Sequence, residues 1–224
     1  MNDICVEVKN FKKILKGNVI LSDINLKLYK GKVYGFKGKN GSGKSMLFRA
    51  ISGLIKPTEG EVIVNGKKIG KDISFPENLG ILIEYPGFLP DFTGFKNLKY
   101  LADINKKINH DDIKSTLKAV GLNPEDNRKF KKYSLGMKQR LGIAQAVMEN
   151  PDIVILDEPT NALDSDGIQL INKIIQDLKN QNKLILISNH NKEEMEMIAD
   201  EIYTIHEGKL IDHIVLKKGG YKNE

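Results

Sequence analysis

The first third of the chain alternates short apolar runs with turn residues. Apolar side chains fall at every second position over residues 4–8 and 24–28, the spacing of a strand with one buried face. Residues 61–64 are followed by Asn65-Gly66 and then by another short run over residues 67–69. An Asn-Gly pair favours the positive φ angles of a type I′ hairpin turn. The pattern therefore predicts an antiparallel sheet in the N-terminal part.

The pattern changes at Val33. Residues 33–36 form a short apolar run, a glycine-rich segment follows it, and helical spacing then extends from Lys44 to Ile51. Gly53 comes just after this helix and can close it in a left-handed conformation. The order strand, glycine-rich loop, helix is the one that a phosphate-binding loop requires.

The middle of the chain, from about residue 86 to residue 150, has mainly helical spacing. Apolar residues recur every three or four positions over residues 94–105, 110–120 and 135–149. The residue before a proline disfavours helix, so Asn150-Pro151 ends the last of these segments. This region has no strand-like run, and we interpret it as a helical insertion between two strands of one sheet.

The last third returns to strands and helices. Residues 153–156 and 184–187 are continuous apolar runs, as expected for parallel strands that are covered on both faces. Apolar residues between them form one stripe of a helix over residues 168–178. Residues 202–205 and 210–214, joined through a Glu-Gly pair, predict a closing hairpin.

Length and composition fit one domain or one domain with an inserted subdomain, and the order of strands and helices indicates the α/β class. The 224 residues are 40% hydrophobic and 29% charged, which is ordinary for a globular protein. We assign residues 1–85 and 151–224 to a parallel-sheet core with an N-terminal antiparallel β subdomain, and about 86–150 to a helical subdomain. No run approaches the roughly 18 apolar residues of a membrane span. No signal peptide is visible, and the single cysteine, Cys5, excludes an internal disulfide, so a cytoplasmic protein is expected.

The chain carries a formal net charge of +6, which has two interpretations. A basic protein can attract nucleic acid, acidic lipid or phosphate-bearing ligands. The lysines are scattered, however, and no aromatic residues alternate with them as a stacking platform would require. We therefore favour a general lysine-rich composition, and we expect no direct contact with nucleic acid.

A phosphate-binding loop is the strongest single motif. It consists of Gly38, Lys39, Asn40, Gly41, Ser42, Gly43, Lys44 and Ser45. The glycines let successive backbone N–H groups face the phosphates, and the helix that starts at Lys44 adds its positive end. The Lys44 ammonium can reach the β- and γ-phosphates of a nucleotide, while the Ser45 hydroxyl can bind Mg²⁺. The alternative is a chance glycine turn, which the flanking strand and helix argue against.

A second motif is an apolar strand that ends in two carboxylates, Asp157 and Glu158. Charges at the end of such a buried strand are costly unless they have a function. Asp157 would hold Mg²⁺, directly or through water, and Glu158 would orient the attacking water. An exposed acidic turn before Pro159 is the alternative, and the phosphate loop upstream favours the functional interpretation.

Three further segments complete a family resemblance. Ser134 is a plausible N-cap of the helix over residues 135–149, and residues 133–140 resemble the LSGGQ-type signature of ABC ATPases. With the phosphate loop as Walker A and residues 153–158 as Walker B, residues 161–164 match the D-loop and His190 matches the switch histidine. The resemblance covers essentially the whole chain and identifies it as similar to the ATP-binding domains of ABC transporters.

The resemblance implies ATP and Mg²⁺ as ligands and ATP hydrolysis as the reaction. Two such domains pair head to tail, so that Ser134, Gly136 and Asp164 would act in trans on the nucleotide of the opposite subunit. Lys44 and His190 would contact the γ-phosphate. A homodimer or a paired ATPase domain is expected, bound to separate membrane permease subunits at the inner face of the cell membrane.

The chain departs from the family pattern at two ligand positions and within the signature. The aromatic residue that often stacks on adenine is replaced by Leu15, and Phe11 is the alternative residue for this contact. The glutamine that usually approaches the metal is replaced by Glu84, which we include with Ser45 and Asp157 as a metal ligand. In the signature, Leu135, Met137 and Lys138 replace the commonest residues.

The segment around Glu84 resembles the ATPases of bacitracin- and lantibiotic-type self-protection exporters. We therefore expect export of an antimicrobial peptide or a similar amphipathic compound. Two alternatives are a soluble ABC ATPase that acts on nucleic acid or ribosomes, and a regulatory module that binds ATP without hydrolysing it. The first usually has two such domains or long insertions, and the second is disfavoured by the presence of Glu158 and His190.

Overall fold

A computed structural model describes residues 4–216, which form ten strands and six α-helices. The strands are β1 (Ile4–Leu15), β2 (Asn18–Tyr29), β3 (Val33–Lys37), β4 (Glu59–Val64), β5 (Lys67–Lys68), β6 (Leu79–Leu82), β7 (Ile153–Asp157), β8 (Leu184–Ser188), β9 (Glu201–His206) and β10 (Lys209–Val215). The helices are α1 (Lys44–Ile51), α2 (Gly94–Asn105), α3 (His110–Ala119), α4 (Leu135–Val147), α5 (Ser165–Asn180) and α6 (Lys192–Ile198). A short 3₁₀ turn covers Phe130–Lys132.

The N-terminal strands form the predicted antiparallel sheet, in the order β2-β1-β4-β5. Asn65 and Gly66, with φ angles of 48° and 77°, make the hairpin turn between β4 and β5. Strands β1 and β2 are longer than predicted because β-bulges interrupt their alternation. Positive φ angles at Asn10 and Asp23 occur within these strands, which hides their full length from a period-two pattern.

A mixed sheet in the order β10-β9-β3-β8-β7-β6 forms the core. Strands β3, β6, β7, β8 and β9 are parallel, and β10 returns antiparallel along β9 as the predicted closing hairpin. Strand β6 is a correction to the sequence analysis, which assigned no strand to Leu79–Leu82. The Gly80 in its middle is required by packing, because a Cβ there would lie 1.8 Å from the Ala146 carbonyl oxygen of α4.

Helices α2, α3 and α4 occupy the region predicted to be helical, and α2 has the predicted bounds. Their buried side chains, such as Leu98, Leu117 and Leu141, pack in one apolar cluster with β7 and α5. A second cluster fills the space between the antiparallel sheet, α1 and the other face of the mixed sheet. The division into a core and a helical subdomain remains an interpretation. Residues 1–3 and 217–224, which the sequence analysis assigned to the core, lie outside the described residues.

Candidate nucleotide-binding site

A cavity of about 450 Å³ lies at the carboxyl end of β3 and β7, the edge at which open α/β sheets bind ligands. Four segments form its wall: the phosphate loop, the acidic end of β7, the loop that contains Glu84, and the start of α4. Its lining residues are Ile20, Asn40, Gly41, Gly43, Lys44, Ser45, Met46, Glu84, Tyr85, Leu135, Gln139, Asp157, Glu158, Asn161 and Ala162.

The phosphate loop is held tightly between β3 and α1. The N-cap of α1 is Gly43, with a φ of 113° and no side chain to bind the first amides of the helix, which leaves them available to an anion. A Cβ at Gly38 would lie 2.3 Å from the Ile205 carbonyl oxygen, so this position requires glycine. Lys44 is only 5% exposed, and its Nζ donates to the carbonyl oxygens of Gly38 at 2.7 Å and Lys39 at 3.2 Å.

The loop has the properties expected of a phosphate site. The Ser42 hydroxyl oxygen is buried and has no hydrogen-bond partner among the described residues. An unpaired buried polar atom is costly, so an oxygen-rich ligand close to the loop would relieve that cost. The Lys44 ammonium adds a buried positive charge to the same cradle.

The donor set beside the loop is made of oxygen atoms. The Ser45 hydroxyl donates to Oδ2 of Asp157, and the Ser188 hydroxyl donates to its Oδ1. Hydroxyl and carboxylate oxygens are the ligands that Mg²⁺ prefers. Within residues 4–216 no group of three or more His, Cys, Asp or Glu side chains is placed to hold a metal ion. The residues therefore fit an ion that takes its remaining ligands from phosphates and water.

Glu158 has an unusual backbone conformation. Its φ is 49°, in the left-handed region that costs a non-glycine residue about 1–2 kcal/mol. Its N–H donates to the Ser188 hydroxyl oxygen at 2.9 Å, and the Asn161 side-chain amide donates to its carboxylate. These bonds hold the carboxylate at the cavity wall, and its role in orienting water remains a prediction.

His190 follows β8 and lies next to this carboxylate. Its Nδ1 is 3.9 Å from Oε2 of Glu158, and its side chain is 65% exposed. The buried Asn189 shapes the turn, because its side-chain oxygen accepts from the Asn191 N–H at 2.8 Å and its amide donates to Glu194 at 2.9 Å. The structure thus brings His190 to Glu158.

Glu84 lines the cavity but has a partner on α1. Its carboxylate pairs with the Arg49 guanidinium at 2.8 Å, and the two side chains are 65% and 33% exposed respectively. A φ of 60° at Glu84 turns the chain sharply after β6. Its role as a metal ligand remains a prediction, and Arg49 partly neutralises its charge.

The start of α4 packs on the loop after β7. The Ser134 hydroxyl caps α4 by accepting from the Met137 N–H at 3.2 Å, as predicted. A Cβ at Gly136 would lie 2.8 Å from the Ala162 carbonyl oxygen. Asp164 caps α5, and the pKa of its carboxyl is lowered, first by the Gly167 N–H and also by Arg140. Contacts in trans by Ser134, Gly136 and Asp164 remain predictions.

The suggestion that Phe11 stacks on adenine is wrong. Phe11 is fully buried in the core beneath the antiparallel sheet, so neither face of its ring is open to a ligand. Leu15 lies at the end of β1 opposite Asn18 and is 41% exposed. From β2, Ile20 lines the cavity. Contact between Leu15 and adenine remains a prediction.

The sequence analysis assigned no role to four polar residues of the site, Arg49, Gln139, Asn161 and Ser188. Arg49, Gln139 and Ser188 contact residues distant in sequence, whereas Asn161 contacts Glu158, three residues earlier. Three of the four had a signal in the sequence, since Gln139 lies in the signature segment, Asn161 begins the segment that matches the D-loop, and Ser188 directly follows an apolar run that ends at the same sheet edge as Asp157.

Comparison with known proteins agrees with this geometry. The family model described as "ABC transporter" matches residues 21–161. The chain belongs to the ABC transporter ATP-binding family. The match includes the phosphate loop, the signature segment and the acidic strand end, and it begins in β2.

Curated relatives cover most of the chain. The uncharacterized ABC transporter ATP-binding protein YybJ of Bacillus subtilis is 43% identical over 95% of this chain and 99% of its own length. The bacitracin transport ATP-binding protein BcrA of Enterococcus faecalis is 39% identical over 93% of this chain and 68% of its own. The lantibiotic transport ATP-binding protein SrtF of Streptococcus pyogenes is 38% identical over 92% and 89%.

Solved structures give the same fold. The dimeric ATP-binding cassette MJ0796, in a post-hydrolysis state bound to ADP and Pi, is 25% identical with a TM-score of 0.83, covering 96% of this chain and all of that one. The cbiO1 protein of Clostridium perfringens, part of the transporter complex cbiONQ, is 26% identical with a TM-score of 0.80, over 96% and 90%. The described part of this chain contains no helix long and apolar enough to cross a membrane.

Proposed function

We propose that this protein hydrolyses ATP to ADP and phosphate and thereby powers a separate membrane permease. The observation that carries the proposal is the meeting of Lys44, Ser45, Asp157 and Glu158 around one cavity. A cation for the phosphates, oxygen ligands for a metal and a carboxylate for water are the parts that phosphoryl transfer to water needs. A pure binding module would not need Glu158 and His190 there.

Each residue has one task in this mechanism. The loop amides and Lys44 bind the phosphates and fix their position. Ser45 and Asp157, with Glu84 nearby, would hold Mg²⁺, which when bound neutralises charge on the phosphates. Glu158 accepts a hydrogen bond from the attacking water and directs it toward the γ-phosphate. His190, close to Glu158, would contact the γ-phosphate and report its presence.

The working unit in this proposal is a pair of chains. Ser134 at the N-terminus of α4 would bind the γ-phosphate held by the opposite chain, using the helix end as an anion site. The structural relative MJ0796 is dimeric, and cbiO1 belongs to a complex with other transporter components. We infer a homodimer or a paired ATPase domain that lies on the cytoplasmic face of the membrane against permease subunits.

The proposed cargo is an antimicrobial peptide or a similar amphipathic compound. The support is the similarity to the bacitracin and lantibiotic transport proteins, together with the resemblance of the segment around Glu84 to the ATPases of such exporters. A non-transport role on nucleic acid or ribosomes gains no support, because the relatives are named as transport proteins.

The proposal is tested with Glu158→Gln. Glutamine is nearly isosteric but cannot polarise water as a carboxylate does, so turnover should fall by about a hundredfold or more while ATP binding persists. Sizing chromatography with ATP and Mg²⁺ should then show a stable dimer, which Lys44→Ala should fail to form. Undiminished phosphate release by Glu158→Gln would exclude Glu158 as the water-orienting group.

The cargo is tested separately in a bacitracin-sensitive strain that expresses the chain with its permease. Survival at raised bacitracin or lantibiotic concentration, lost with Glu158→Gln, is the expected result. Equal sensitivity with and without an active ATPase would remove these peptides as cargo and leave the hydrolysis proposal intact.

A further inference from the structure

The first turns of α4 contact the loop over residues 158–164 at three points. The Gln139 side-chain amide donates to the backbone carbonyl of Glu158 at 3.0 Å. Arg140 pairs with Asp164 at 2.9 Å. Between them, Gly136 brings the helix backbone against the Ala162 carbonyl, where a Cβ would be only 2.8 Å away. The helix and the loop are therefore connected by a hydrogen bond, an ion pair and a close backbone contact.

Gln139 contacts the backbone of Glu158, and the backbone conformation sets the direction of the Glu158 carboxylate. Its backbone is in the left-handed region, with a φ of 49°, and such a conformation persists only when surrounding groups hold it. The Glu158 carbonyl accepts from Gln139 and, at 3.2 Å, from the Asn161 N–H. Removing the Gln139 donor leaves Ser188 and Asn161 to hold this backbone.

We infer that Gln139 is a positioning residue for Glu158, and that its amide couples the signature helix α4 to the water-orienting carboxylate of the same chain. The inference rests on the proposed function, in which Glu158 serves the chain's own ATP. In that function the N-terminus of α4 faces the ATP of the partner. A shift of α4 caused by the partner's nucleotide is then passed through Gln139 to Glu158.

Steady-state kinetics provide the first test. Gln139→Ala should lower kcat about tenfold, the usual effect of losing one hydrogen bond that orients a catalytic group, and leave KM for ATP unchanged. Gln139→Glu should lower kcat further, because a carboxylate cannot donate and is repelled by the Glu158 carbonyl. Gln145→Ala is the matched control, since it removes the same side chain from the same helix at a position that lines a different cavity.

The second test asks whether Gln139 acts through Glu158. In a Glu158→Ala background, adding Gln139→Ala should change the residual single-turnover rate less than twofold. An equal tenfold loss in both backgrounds would show that Gln139 acts elsewhere. Thermal unfolding of each variant separates a loss of positioning from a loss of folded protein.

The third test locates the effect within a dimer. Mixed dimers are isolated on two affinity tags, one chain with Glu158 intact and the other with Glu158→Gln, so that only one site turns over when Mg²⁺ is added. Gln139→Ala should slow hydrolysis only when placed in the chain with intact Glu158. An effect confined to the other chain, whose α4 reaches the active nucleotide, would overturn the inference in favour of a phosphate contact in trans.

These results are distinguishable from a failure of the proposed function. A wild-type protein that releases no phosphate would refute the proposed hydrolysis itself. A wild-type protein that turns over, with Gln139→Ala and Gln145→Ala equally active, would refute the role of Gln139 alone.

Discussion

The negative charge of Glu84 allows a test of the metal site, because changing this charge should shift the Mg²⁺ requirement in a predictable direction. Glu84 and the metal-binding candidates Ser45 and Asp157 line the same cavity, and Arg49 pairs with Glu84 at 2.8 Å. Glu84→Gln removes a negative charge near the bound ion, so hydrolysis should need more Mg²⁺. Arg49→Gln releases the same carboxylate from its partner, so hydrolysis should need less.

The size of the effect depends on the separation between the Glu84 carboxylate and the ion. Glu84, Ser45 and Asp157 line one cavity, and we take a separation of about one Debye length, about 9 Å, for an order-of-magnitude estimate. At about 9 Å in water, the single negative charge of Glu84 and the double positive charge of Mg²⁺ attract each other by about 0.9 kcal/mol. Screening by physiological salt reduces this attraction to roughly 0.3 kcal/mol. The Mg²⁺ concentration for half-maximal rate should therefore change by about two- to fivefold.

The assay is a titration of phosphate release with free Mg²⁺ at saturating ATP, for both variants and the double variant. The double variant should lie near the wild type, because both charges of the pair are gone. The exposed pair contributes about 0.5 kcal/mol or less to stability, so melting temperatures should stay within a few degrees. Raising the salt concentration should shrink the shifts of both single variants.

Superimposable curves for all four proteins would refute the idea that Glu84 acts on the metal. Shifts of the same direction in Glu84→Gln and Arg49→Gln would show that the ion pair matters for structure rather than for charge. In either case the argument that links the Glu84 loop to antimicrobial exporters would lose its mechanistic basis.

Three further predictions concern other parts of the molecule. Lys44→Ala should weaken binding of a fluorescent ATP analogue at least tenfold, since it removes the buried cation of the phosphate loop; unchanged affinity would exclude this loop as the cradle. Gly80→Ala should destabilise the protein by about 3 kcal/mol in urea unfolding, because its Cβ would lie 1.8 Å from the Ala146 carbonyl oxygen, whereas Gly87→Ala, with open space around it, should have little effect. Burial raises the pKa of the Cys5 thiol to about 11, so alkylation at pH 8 should proceed only as the protein unfolds, and rapid labelling of the native protein would contradict this placement.

The sequence predicted the elements whose local pattern is strong. Helix α1 has the predicted bounds, Lys44–Ile51, and α2 covers the predicted residues 94–105. Both helices have clear apolar spacing, and the Thr93 side chain caps α2 by accepting from the Lys96 N–H, so local and tertiary preferences coincide. Strand β6 was missed because its four residues include Gly80, which lowers strand propensity and is explained only by the packing of α4 against the sheet.

The site was predictable where one motif carries the chemistry. Lys44, Asp157 and Glu158 line one cavity as expected. The suggestion that Phe11 contacts adenine was wrong. The β-bulges in β1 determine which face of the strand Phe11 lies on, and they place it on the buried face. The contacts of Arg49 and Gln139 were not predictable, since each joins residues that are neighbours only after the chain has folded.

The placement of β3 has a consequence for how the protein is made. The strand that carries the phosphate loop pairs with β8 on one side and β9 on the other, so that Val33 lies opposite Ile185 and Tyr34 opposite Glu201. Both neighbours are synthesised after the whole helical region. The strands of the antiparallel sheet pair with one another, but their apolar face packs against β7, β8 and β9 of the mixed sheet. The sheet and the loop that follows β3 must therefore both wait for most of the chain before they are fully packed. A ribosome stalled before β8 would hold a nascent chain with no capacity to retain ATP.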